Sequence, residues 1–248
     1  MWTFMTGALA WSVAFAAATG APPNAWTAVA PPANEREWTC ANQSQYDWTV
    51  RTGTHGELLF ASDASRHPDL AMALPGGGRL VGSNRGEFVG TVEWVSDSGR
   101  ERVELLRANA IAFTQFRGDV YIATGQPQLD RGEIYRMQRQ GATRWQIDKA
   151  LDLGEAPGAA VAQDSTWTLV TGTGMTQVDL RTLAATRLHT NRHWGQVYPA
   201  SLVRRQGRWY IGARSAVIRL SPSTKAWREE WMVPPMCAKP STGCGCQA

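Results

Sequence analysis

Histidines, cysteines and a few carboxylates are the residues through which this chain could do chemistry. His189 and His193 stand four apart, a spacing that holds a metal ion when both side chains project from one face of a helix. The stretch they occupy, LHTNRHWGQ at 188–196, reads as a linker between strand units instead. The two histidines are therefore expected to join Trp194 and Tyr198 in an aromatic, partly polar patch on a rim lined by loops. Such a patch either meets a ligand or packs as a hydrogen-bonded linker, and the sequence supports both readings. His55 and His67 have no comparable neighbours. The densest cationic cluster is Arg204 and Arg205 with Arg208, placed on an expected turn where it is solvated or faces an anionic surface.

Catalytic carboxylates are harder to assemble. Glycoside hydrolysis needs two acids across a fixed gap, and a calcium-dependent lactonase needs Asn, Asp and Glu converging on one ion. For the second, the candidates are Asn84, Glu87, Glu133 and Asp164. Glu87 and Glu133 follow the same Arg-Gly pair, Arg85-Gly-Glu87 and Arg131-Gly-Glu133, and such repetition favours structural pairing with Arg85 or Arg131 over catalysis. There is no G-x-S-x-G, P-loop or H-E-x-x-H segment. No catalytic residue is assigned and no cofactor is expected, with calcium or copper the ions weighed.

The cysteines are Cys40, Cys237, Cys244 and Cys246, and an even number in an exported chain reads as disulfides. A Cys40–Cys237 bridge would staple the first repeat unit to the last, one of three possible pairings. The tail from Cys237 offers three thiolates to copper(I), with no fourth ligand to complete a zinc site.

A repeat must position these residues. Strands ending in Gly or a polar residue recur as DWTVRTG (47–53), RLVGSNR (79–85), DVYIATG (119–125), TWTLVTG (166–172) and RWYIGAR (208–214). The turns before four of them, Gly78, Gly118, Ser165 and Gly207, are spaced by 40, 47 and 42 residues. That period suits a four-stranded sheet per unit. An apolar strand of small residues precedes each turn (70–74, 110–113, 158–162, 200–203), and a charged strand closes each unit (101–107, 144–148, 185–188, 227–233). Charges on the last strand discourage edge-to-edge pairing. The first copy is cut short, since Asp47 to Arg79 is only 32 residues. The expectation is an all-β fold, a β-propeller of five blades of four-stranded antiparallel sheets with a degenerate first blade. Over about residues 37–234 the D-x-x-x-x-T-G and R-G-E-[FI] segments make the chain similar to bacterial exported β-propeller repeat proteins. That resemblance implies a fold and leaves the function open.

No charge precedes Glu35, and the apolar run FMTGALAWSVAFAAA (4–18) has the length of a signal-peptide core. Residues 1–20 are expected to be an atypical signal peptide, lacking an N-terminal Lys or Arg. A flexible Ala/Pro-rich leader (21–36), the propeller (37–236) and a Cys-rich tail (237–248) follow. Of the 25 basic residues all but three are Arg, spread without a run, and with the expected export this argues against nucleic acid. The expected protein is periplasmic or extracellular, monomeric and not stably membrane-inserted. It is a non-catalytic module holding a protein or glycan partner on its loop-lined face through His189, His193, Trp194, Tyr198, Arg204 and Arg205. A metal-dependent small-molecule hydrolase or lactonase is the alternative.

Overall fold

The computed structural model describes residues 25–62, 69–140, 144–224 and 226–237. The expected signal peptide, His67, Cys244 and Cys246 lie outside the described residues.

Regular structure occupies the segment expected to be a flexible leader. Strand β1 (Thr27–Val29) is followed by helix α1 (Glu35–Asn42). Asn34 caps the helix by accepting from Glu37 N at 3.1 Å, while Glu37 Oε2 accepts from Ala33 N at 2.8 Å. Glu35 and Glu37 place negative charge on the first turn, where the helix dipole favours it. Trp38 and Ala41 form the buried face. The Ala/Pro-rich composition hid both elements because neither rests on periodicity: one is a three-residue strand completed by its partner, the other a single capped helix of two turns.

The remainder is β-structure in five antiparallel sheets. β2 (Trp48–Thr52) and β3 (Leu58–Ser62) make the first. The second is β4 (Leu70–Ala73), β5 (Arg79–Gly82), β6 (Val92–Val95) and β7 (Arg102–Leu106) in chain order. The third is β8 (Ala110–Phe116), β9 (Asp119–Gln126), β10 (Arg131–Gln140) and β11 (Arg144–Asp152), also in chain order. The fourth is β12 (Pro157–Gln163), β13 (Thr166–Thr171), β14 (Gly174–Asp179) and β15 (Ala184–Thr190). The fifth is β16 (Ser201–Arg205), β17 (Arg208–Gly212), β18 (Val217–Pro222) and β19 (Trp227–Val233), with β1 added beyond β19. Val, Ile, Trp, Tyr and Thr fill the second strands, which are buried on both faces and so favour residues that pack on a pleated surface. The turns Arg117-Gly118 and Gln206-Gly207 hold both central residues at positive φ (52 and 88°, 49 and 74°). This is the hairpin geometry that matches strand twist, and Gly adopts it without steric cost.

First strands of neighbouring sheets lie side by side in the order β4, β8, β12, β16, β2. The sheets pack face to face. Leu80 meets Val120 and Ile122; Tyr121 and Ala123 meet Trp167 and Leu169; Val170 and Met175 share a cluster with Trp209 and Ile211; Tyr210 and Val217 meet Val50 and Phe60.

Three expectations need correction. The segment DWTVRTG was aligned with second strands, yet β2 takes a first-strand place. It runs against β17 through the Asp47–Arg214 bridge, with Val50 N donating to Ser201 Oγ at 2.9 Å on β16. Among the described residues this sheet has two strands only. The two R-G-E-[FI] copies are not equivalent: Arg131 opens β10, but Arg85–Phe88 closes a tight turn and the third strand of the second sheet starts at Val92. The charged last strand is solvent-facing in β7, but β19 is covered by β1, which buries Trp231, Met232 and Val233.

Candidate functional site

The first strands of the second to fifth sheets run in one direction, which gives the molecule two distinct ends. Where they finish, Gln115 Nε2 of β8 donates to Ala73 O of β4 at 3.0 Å, and Arg204 Nη1 of β16 donates to Gln163 Oε1 of β12 at 3.1 Å. Where they begin, Gly158 abuts the Pro199 carbonyl so closely that a Cβ would sit 1.8 Å from its oxygen. The first end carries the hairpin turns between first and second strands. The second carries the linkers between sheets and the loops from second to third strands.

At the linker end the second and third linkers each press a polar side chain into the neighbouring loops. Asn109 Oδ1 accepts from Arg85 N at 2.9 Å and Gly90 N at 2.7 Å, and its Nδ2 donates to Gly86 O at 2.7 Å. Glu155 accepts from the Thr171 hydroxyl at 2.6 Å, from the Thr173 hydroxyl and from Arg187. Burial alone would raise the Glu155 pKa, but these donors outweigh it and the carboxyl is held below its usual range.

The fourth linker reverses the geometry: the carboxylate comes from β19 and the linker supplies the donors. Glu229 Oε2 lies 3.2 Å from His189 Nε2 and accepts from Asn191 Nδ2 at 3.0 Å. Its Oε1 accepts from Trp194 Nε1 at 3.2 Å and Trp231 Nε1 at 3.0 Å. The Glu229 side chain is 10 % exposed. Desolvation pushes its pKa up, and donors led by His189 and Asn191 more than reverse that, so the carboxyl is ionised and held low. Above this cluster Trp38 of α1 stacks on His193 at 5.0 Å and meets Trp231 edge-on at 5.4 Å.

The six expected ligand residues therefore do not form one site. His189, His193 and Trp194 come together around Glu229 and under α1, as a hydrogen-bonded linker, and Trp194 is fully buried. Tyr198 is exposed beside them, with Arg214 over its ring at 4.7 Å. Arg204 and Arg205 lie at the far end of β16, next to the hairpin turns. Sequence reading missed Glu229, the centre of the cluster, because it sits in a strand of alternating charge (WREEWMV) that looks like a solvated edge. The Trp residues flanking the acidic pair were the one available signal.

Asn84 and Glu87 lie in the β5–β6 loop, Glu133 on β10, and Asp164 in the β12–β13 turn. Glu133 accepts from Tyr135 Oη at 2.7 Å and pairs with Lys149 at 3.2 Å. Among the described residues no three His, Cys, Asp or Glu side chains are grouped as metal ligands.

The linker end is also where apolar surface is bare. Five large apolar side chains are exposed among the described residues: Phe88 (80 %), Leu129 (58 %), Val103 (49 %), Tyr198 (46 %) and Val89 (45 %). Phe88 and Val89 stand on the β5–β6 loop, Leu129 on the β9–β10 loop and Tyr198 on the fourth linker, so all but Val103 share this end. Exposed Arg85, Arg131 and Arg192 stand in the same loops.

No protein-family model matches the chain, and neither does any curated protein. Similar solved structures include the tricorn protease, 16 % identical over 71 % of this chain and 19 % of that one, with a TM-score of 0.43. Virginiamycin B lyase from Staphylococcus aureus is 12 % identical over 75 % of this chain and 63 % of that one, TM-score 0.43. The AfRom2 CNH domain is 11 % identical over 72 % and 71 %, TM-score 0.43. The chain thus spans about a fifth of the tricorn protease chain and under two thirds of the lyase.

Proposed function

We propose that the five sheets are the blades of a five-bladed propeller, exported to the periplasm or cell exterior, whose linker end holds a protein partner without catalysis. The observation that supports this is the gathering of Phe88, Val89, Leu129 and Tyr198 on that end, rimmed by arginines. Apolar and aromatic anchors with Arg at their edge are what protein-binding surfaces concentrate. A glycan platform would present Trp faces, and every described Trp is buried or half-buried. Combined replacement Phe88→Ala, Leu129→Ala and Tyr198→Ala is expected to weaken partner binding more than about tenfold, since single anchors contribute roughly 1–2 kcal/mol. Pull-down from the native extracytoplasmic fraction, compared between wild type and the triple variant, measures this. A partner retained equally by both, or stoichiometric calcium or zinc in the purified protein, would overturn the reading.

Ring closure is proposed to depend on disulfides anchored at Cys40 and Cys237. Trp38 and Ala41 of α1 share a core cluster with Cys237, and no cysteine among the described residues is a free thiol. Cys40→Ser or Cys237→Ser is expected to lower stability by about 2–4 kcal/mol in oxidising buffer and leave the reduced melt unchanged. Calorimetry with and without reductant checks this, and equal losses in both would sink it. Non-reducing peptide mapping reads whether the partners are each other or Cys244 and Cys246.

A further inference from the structure

The space between the fourth and fifth sheets is not filled as its counterparts are. Strand register makes Thr168 the equivalent of Val81 in the second sheet, Tyr121 in the third and Tyr210 in the fifth, each two residues in from the first-to-second strand turn. Tyr121 and Tyr210 are buried rings facing the following sheet. At Thr168 the ring is missing, and a pocket of about 170 Å³ opens there; a second of about 430 Å³ adjoins it through Gln163 and Arg204. The smaller is lined by Asp164, Thr166, Thr168, Gln177 and Trp209 besides these two.

Its walls carry polar groups that the fold leaves unused. Thr168 is 2 % exposed and Trp209 3 %, and neither the hydroxyl nor the indole N–H has a hydrogen-bond partner among the described residues. Gln177, cross-strand from Thr168, sits where the other sheets carry Glu93, Arg136 and Arg219, each of them in an ion pair; its amide is also without a partner among the described residues. These groups are reached through the pocket, so a molecule entering it finds their hydrogen-bonding capacity free to use. At the mouth, Arg204 is held in place by Gln163 and by the Trp209 face, 5.2 Å from its guanidinium. A guanidinium fixed in this way favours a carboxylate. Asp164 brings the opposite charge to the same wall.

We propose that this pocket binds a small zwitterion of amino-acid type. Its carboxylate meets Arg204, its ammonium meets Asp164, and the body of the molecule is read by Thr168, Gln177 and the Trp209 N–H. The site lies at the hairpin end, away from the proposed partner surface, so the two stand or fall separately.

Calorimetric titration of the full chain with each common amino acid tests it, with lactate as a probe lacking the ammonium and ethanolamine as one lacking the carboxylate. Saturable binding of at least one amino acid is expected, with its lactate and ethanolamine counterparts weaker by tenfold or more. Thr168→Tyr places there the ring that the third and fifth sheets use and is expected to abolish binding while the melting temperature holds or rises. Arg204→Gln, a surface change, should weaken binding about tenfold with an unchanged melt. The triple variant of the linker end should bind as wild type does. Absence of saturable binding, which would leave the pocket to water alone, overturns the proposal, as does undiminished binding by Thr168→Tyr or by lactate.

Discussion

Glu229→Ala is expected to destabilise the protein by about 3–5 kcal/mol, a drop on the order of 10 °C in melting temperature for a chain of this length. The carboxylate accepts hydrogen bonds from Asn191, Trp194 and Trp231 and contacts His189 at 3.2 Å. Removing it strands two indole N–H groups and an amide in a largely buried part of the molecule, and each stranded donor costs roughly 1–3 kcal/mol. The loss should not stay local. Trp231 supports Trp38, and Trp38 holds His193 against α1, so the N-terminal helix should loosen with the linker. Denaturant melts give the magnitude, and hydrogen exchange of α1 gives the spread. A change below 1 kcal/mol would mean that the four contacts are incidental.

The same carboxylate sets an acid dependence whose sign is fixed. Its folded pKa is depressed because the donors outweigh desolvation. The stabilisation is therefore complete above the unfolded carboxylate value of about 4.3 and is lost as pH falls through the folded one. Glu155 and Glu133 shift the same way, the latter chiefly through the Tyr135 hydroxyl. Wild type should lose stability on acidification below about pH 4, and Glu229→Gln should lose less over the same interval. Equal slopes would place the acid sensitivity elsewhere.

What could be read from the sequence was what repeats. Turn glycines, β-branched second strands and small first strands recur in register, and they specify the first, second and last strands of the four later sheets to within a few residues. What escaped was what occurs once. β1 has three residues and no pattern of its own; it is a strand because β19 offers an unpaired edge. DWTVRTG matches a second strand in composition but takes a first-strand place, because its position depends on the Asp47–Arg214 bridge and on Ser201 of a distant sheet. The candidate site divides in the same way. His189, His193, Trp194 and Tyr198 were singled out as a cluster and do lie together, but Glu229, which holds His189 and Trp194, is about 40 residues from His189 in sequence, and no local spacing announces it. Arg204 and Arg205 were grouped with them by proximity in the chain, and a single strand, β16, carries them to the opposite end.

Trp26→Ala should be among the most damaging single changes, although residue 26 falls in a segment whose composition reads as leader. Trp26 is 7 % exposed and packs edge-on against Trp48 at 4.7 Å and Phe60 at 5.0 Å, in a cluster with Tyr210, Val217 and Met232. It plugs the join between the first sheet and the fifth, where among the described residues the first sheet has two strands only. Truncating a buried Trp costs about 3–5 kcal/mol. Here the next residue begins β1, so loss of the plug should also free the strand that covers β19. The control is Trp26→Phe. The Trp26 N–H is buried without a partner among the described residues, so a phenyl ring keeps most of the packing and removes an unsatisfied donor. Trp26→Phe should therefore cost less than about 1.5 kcal/mol, in line with volume-tolerant core swaps. Thermal melts of the two variants side by side decide the point. Near-wild-type stability in Trp26→Ala would show that β1 and its plug are dispensable, and that the first and fifth sheets hold together through β2 and β16 alone.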